Sequence, residues 1–150
     1  MTINLKVRVS TVMDYKYDNH IKNLPQCPPA NAQPTDVTAW RWTFNPHTGN
    51  CFLPVAVIEP KRLLTIRDGQ ECSCWALSMF ESEGAAVKRM QQLDLSIPNF
   101  KKSKGDHVSM VTITKADGVA TAPDSRGHFD FHPCKSFNVL INSKVVGPIP

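Results

Sequence analysis

The stretch Cys74-Trp75-Ala76-Leu77-Ser78-Met79-Phe80-Glu81-Ser82-Glu83-Gly84-Ala85-Ala86-Val87-Lys88-Arg89-Met90-Gln91-Gln92-Leu93 changes its period halfway along. From Cys74 to Met79 the residues are nearly all apolar, the mark of a short buried strand. Ser82 then offers a side-chain oxygen where a helix N-cap belongs, with Glu83 in the first turn, and Ala86, Met90 and Leu93 follow at helical spacing. Lys88 and Arg89 fall toward the C-terminal half, where they complement the helix dipole. The stretch predicts a strand followed by a helix over about Glu83 to Leu93, the one principal helix of the chain.

Outward from this unit the chain reads mostly as strands. Ile3, Leu5, Val7 and Val9 alternate strictly with polar residues, and Val37 to Phe44 places Trp40, Trp42 and Phe44 on one face and Ala39, Arg41 and Thr43 on the other. The aromatic face is expected to be core. Cys51 to Ile58 is apolar but interrupted by Pro54, which makes it an edge strand or a mixed segment. The last fifty residues read as a meander: His107 to Thr114, a turn at Ala116-Asp117-Gly118, Val119 to Ala122, a turn at Asp124-Ser125-Arg126-Gly127, His128 to Pro133 and Phe137 to Asn142. A Pro-rich loop spans about 18–36. The expected fold is α+β, with mostly antiparallel strands and one principal helix, in a single globular domain over 1–150.

Composition narrows the classes further. The 150 residues carry 12 prolines against 7 glycines, which favours extended segments over long helices. Phe52 to Ile58 is the longest nearly apolar run, far short of the ~20 residues that span a bilayer, so no membrane partner is expected. The first twenty residues lack a continuous apolar segment of signal-peptide type, and the five cysteines are odd in number. Together these predict a cytoplasmic protein with free thiols. A net charge of +4, spread among compensating acids, does not by itself make a nucleic-acid binder.

In His128-Phe129-Asp130-Phe131-His132, alternation puts Phe129 and Phe131 on one face and His128, Asp130 and His132 on the other. A carboxylate beside an imidazole sets its tautomer and raises its basicity, so this polar row is acid–base equipment facing solvent or a cleft. Arg41 has the fork geometry to clamp a phosphate or carboxylate, and Lys101-Lys102-Ser103-Lys104-Gly105 reads as a basic loop able to grip phosphates. Cys72, Cys74, His128, His132 and Cys134 are all ligand-capable. However, His128 and His132 stand about 13 Å apart along a straight strand, and the Cys72-Ser73-Cys74 spacing is not that of a zinc knuckle. No metal is expected.

The order of the pieces resembles the ADP-ribosyltransferase fold: an Arg-bearing strand at Thr38-Ala39-Trp40-Arg41-Trp42, then a serine-bearing strand at Ala76-Leu77-Ser78-Met79-Phe80. The helix behind it opens with Ser82-Glu83-Gly84-Ala85-Ala86, and a late polar strand follows. The resemblance spans about Val37 to Asn142. It implies an NAD cleft in which Arg41 and Ser78 contact the cofactor and Asp130, with His128 and His132, supplies the catalytic groups. The family's late-strand glutamate is missing, and Asp130 is the only carboxylate there. Two other readings stand beside it. One is a metal-independent ribonuclease using the two histidines, and the other is a non-catalytic binding or adaptor protein presenting its Pro25-to-Pro34 loop to a partner protein.

Overall fold

In the computed structural model, which describes residues 13–67 and 69–150, the N-cap at Ser82 forms as its chemistry requires. Ser82 Oγ accepts the Ala85 backbone N–H at 3.0 Å, and the helix behind it runs three residues past Leu93. Along the chain the elements are α1 (Asp18–Ile21), β1 (Val37–Thr43), α2 (Val55–Ile58), α3 (Glu71–Cys74), β2 (Leu77–Phe80), α4 (Glu83–Ser96) and α5 (Phe100–Lys104). Then come β3 (His107–Ile113), β4 (Gly118–Ala120), β5 (His128–Pro133) and β6 (Ser143–Pro148). Among the described residues six strands form one antiparallel sheet in the order β4-β5-β2-β1-β3-β6, with α4 as the principal helix: an α+β fold. The alternating stretch from Ile3 to Val9 lies outside the described residues. No described helix is long and apolar enough to cross a membrane.

Both faces of the sheet are covered. On one, Ala39, Leu77, Met79, Val111, Ile113, Phe129 and Phe131 form a core closed by Phe52 and Phe137. On the other, Ala86 and Met90 of α4 pack against Phe80 and Val108, with Trp40 and Trp42 at the margin. Trp42 Nε1 donates to the Ala86 carbonyl at 2.8 Å, tying helix to sheet. This corrects the expectation of one aromatic core face on β1. Trp40 and Trp42 are only half-buried, Phe44 is exposed, and Ala39 and Thr43 on the opposite face are fully buried. Phe129 and Phe131 are core as expected. A third cluster, Ile21, Ala56, Cys74 and Trp75, gathers the short helices α1, α2 and α3.

Several local expectations give way to side-chain chemistry. Cys51 to Ile58 is a 3-10 turn over Gly49–Phe52 followed by α2, with extended Pro54 as the N-cap of that helix. Cys74 closes the helical turn α3 instead of opening a strand, because a short apolar run cannot by itself tell strand from buried helix. Phe137 to Asn142 forms turns: Asn138 accepts Ile141 N–H through its side chain and Asn142 N–H through its carbonyl, and such local bonds compete with a ladder. The basic Lys101-to-Lys104 segment belongs to α5. Lys104 is paired with Glu59, and Asp94 Oδ1 accepts the Lys101 backbone N–H at 2.9 Å.

The expectation of free thiols fails at one pair. Cys27 and Cys72 are joined in a disulfide across a sequence separation of 45, while Cys51, Cys74 and Cys134 are free. Spacing along the chain shows only near neighbours, and this pair is made by the fold. The inference from reduced thiols to a cytoplasmic location loses that premise.

Candidate active site

β2 and β5 pair with Ser78 opposite Asp130 and Phe80 opposite His128, which sets all four side chains on one face. Ser78 is exposed while Leu77 and Met79, its neighbours on β2, are buried. Across this ladder Ser78 Oγ lies 2.8 Å from His128 Nε2. The same nitrogen is 3.9 Å from Asp130 Oδ1, and His128 Nδ1 is 3.9 Å from Asp124 Oδ2. The imidazole packs edge-to-face with the Phe80 ring, their centroids 5.6 Å apart. One imidazole thus stands between a hydroxyl and two carboxylates.

Asp124 is held by the turn it organises. Its Oδ1 accepts the backbone N–H groups of Arg126 at 2.8 Å and His128 at 3.0 Å. Burial pulls its carboxyl up. The two backbone donors, with the charges of His128 and Arg126, outweigh that and keep it below the usual carboxylate value. Gly127 completes the turn at φ +75°, where a Cβ would stand 3.0 Å from Ala85 Cβ and 3.1 Å from Glu81 Cγ. The turn therefore packs directly on α4. Between them lies a cavity of about 310 Å³ lined by Lys88, Arg89, Arg126, Ser125 and Gly127, with Glu81 the only acid among the described residues that line it. This cationic recess begins one residue from His128.

The other expected site residues go elsewhere. Arg41 Nε donates to the Cys51 carbonyl at 2.8 Å, Nη1 to the Ser78 carbonyl at 2.8 Å and Nη2 to the Leu53 carbonyl at 3.2 Å. Its guanidinium therefore ties the 51–53 turn to β2 and touches Ser78 through the backbone. Its side chain alternates onto the face opposite the Ser78 hydroxyl. His132 is 2% exposed, which corrects the expectation that the whole polar row faces outward. Its Nε2 is 3.9 Å from Cys72 Sγ, and burial pushes its pKa down, partly offset by Asp130. Asp130 itself is 17% exposed, and Thr121 Oγ1 accepts its backbone N–H.

Ser78, His128 and Asp130 were legible as candidates. Asp124 and Arg126 were not, because they read only as turn residues, although an Asp four positions before a histidine and a Gly one before it is a usable signal. Nothing local marked Cys27. Comparison with models of protein families, with curated proteins and with solved structures finds no match for this chain.

Proposed function

We propose that this protein is a hydrolase or transferase acting on a nucleotide-like substrate, with Ser78 as nucleophile and His128 as its base. One observation carries the reading: Ser78 Oγ and His128 Nε2, fifty residues apart in sequence, stand 2.8 Å apart with carboxylates on both sides of the imidazole. A hydroxyl is a poor nucleophile until a neighbouring base accepts its proton, and this is the separation at which transfer occurs. As Ser78 Oγ bonds to an ester carbon or phosphorus, its proton passes to His128 Nε2. The imidazolium then returns that proton to the leaving oxygen, and water releases the product. Asp124 and Asp130 stabilise the transient positive charge. Lys88, Arg89 and Arg126 in the adjoining cavity supply positive charge for an anionic portion of the substrate such as a phosphate.

A narrower reading, ADP-ribosyl transfer from NAD, is favoured by Asp130, a largely buried carboxylate directly opposite Ser78. There Ser78 would hold a ribose hydroxyl, and Asp130 would face the positive charge that develops as nicotinamide leaves. The pyrophosphate would lie on the cationic cavity, since Arg41 is engaged by three carbonyls.

A fluorophosphonate probe, which modifies hydroxyls activated by an adjacent imidazole, tests the first reading. Mass spectrometry should place the adduct on Ser78 and show it reduced about a hundredfold or more in His128→Gln. No adduct on Ser78, or an equal one in His128→Gln, overturns it. Release of nicotinamide from NAD, abolished by Asp130→Asn, would select the narrower reading. Absence of both activities leaves a binding role, for which the Pro25-to-Pro34 segment is held to the body by Cys27 and by the Gln33–Ala120 bridge.

A further inference from the structure

Away from Ser78 and His128, the sulfurs of Cys27 and Cys72 and a ring nitrogen of His132 all lie within 4.8 Å of one another. The three come from unrelated parts of the chain: the Pro-rich segment, α3 and β5. His132 is held on a strand paired on both sides, opposite Val119 of β4 and beside the Phe131–Leu77 pair with β2. It is buried, whereas both cysteines are half-buried. A rigid imidazole thus faces a pair of sulfurs on residues that are partly exposed.

We infer that Cys27, Cys72 and His132 form a redox-gated site for a borderline-soft divalent cation such as zinc, closed while the disulfide stands and opened by its reduction. Two thiolates and one imidazole are the donor set that zinc prefers, and in a tetrahedral centre neighbouring ligand atoms stand roughly 3.5–4 Å apart. His132 Nε2 already stands 3.9 Å from Cys72 Sγ, and breaking the disulfide frees the two sulfurs to move apart to the same spacing. The fourth position falls to water on the half-exposed side.

The chemistry balances in both directions. A dithiol reductant transfers two electrons and two protons to the Cys27–Cys72 bond and itself becomes a disulfide, leaving two thiols. The cation then displaces those two protons as it binds both sulfurs and His132. Oxidation by a disulfide of low-molecular-weight thiol reforms the Cys27–Cys72 bond and expels the ion, while the oxidant takes the two electrons, and two protons from solvent, to become two thiols. Either link, covalent or metal, holds the Pro-rich segment against α3. The site exchanges one staple for another according to redox state.

Cobalt(II) titration of the full chain tests this, because thiolate-bound tetrahedral cobalt absorbs in the near-ultraviolet and visible. Protein reduced with a phosphine and freed of it under inert gas should take up one cobalt per chain with a thiolate charge-transfer band, and zinc should displace it. The oxidised protein should show no such band. Cys72→Ser and His132→Gln should each weaken uptake about tenfold or more, and Cys51→Ser and Cys134→Ser should leave it unchanged. Absence of the band in reduced wild type, its presence in oxidised wild type, or its retention in both ligand variants would overturn the assignment. The comparison of oxidised with reduced wild type decides the matter even if a variant does not fold.

Discussion

Arg41 shows how a residue's role follows from what surrounds its charged end. A guanidinium on a strand reads as an anion clamp. Here, however, three of its N–H groups meet the carbonyls of Cys51, Leu53 and Ser78, and its Cζ lies 5.9 Å from the centroid of the Phe52 ring. Desolvation draws its pKa down to about 10, with Cys51 and Tyr17 pulling the other way. Lysine carries the same charge but not the fork, so Arg41→Lys leaves carbonyls unmet. We expect a loss of about 2–3 kcal/mol in urea unfolding, from two hydrogen bonds to a charged group. An unchanged midpoint would show that the turn at 51–53 does not depend on Arg41. The arginine's place on the face of β1 opposite Trp40 and Trp42 was legible in the sequence, but the carbonyls it meets, 10 to 37 residues away, were not.

At the scale of elements, the readings that succeeded rest on short-range physics. The cap at Ser82, the bounds of β5 and the core placement of Phe129 and Phe131 all follow from residues within a few positions. The element that failed most plainly, Phe137 to Asn142, has the apolar content of a strand, but Asn138 closes its own turns. The β4–β5 hairpin depends on a glycine in the same local way. Gly118 sits at φ +154°, and a Cβ there would stand 2.2 Å from the His132 carbonyl oxygen. Gly118→Ala must therefore push β4 from β5, at a cost of about 2–3 kcal/mol. Amide exchange should report it as lost protection at Val119 and Ala120; retained protection with unchanged stability would refute the close approach.

Across the whole molecule, the Cys27–Cys72 bond joins the segment before β1 to the helical turn before β2, closing a loop that contains all of β1. Cys27→Ser should lower stability by about 2–4 kcal/mol in metal-free buffer, chiefly by freeing that loop in the unfolded chain. Thermal unfolding with and without reductant checks this. The variant should unfold earlier than oxidised wild type and match reduced, metal-free wild type, and a wild type indifferent to reductant would contradict it. Periods of two and of 3.6, a capping serine and turn glycines were enough to establish an α+β chain and to name His128 and Asp130 as chemistry-bearing, because side-chain direction is set by immediate neighbours, whereas Ser78 was named only by the resemblance to the ADP-ribosyltransferase fold. Three further matters awaited folding: that Ser78 meets His128, that Arg41 is taken up by carbonyls, and that His132 is buried beside Cys72 while His128 of the same row stays partly exposed. Each depends on the register of strands and on loops folding back over tens of residues, and no local period encodes a distance between residues so far apart along the chain.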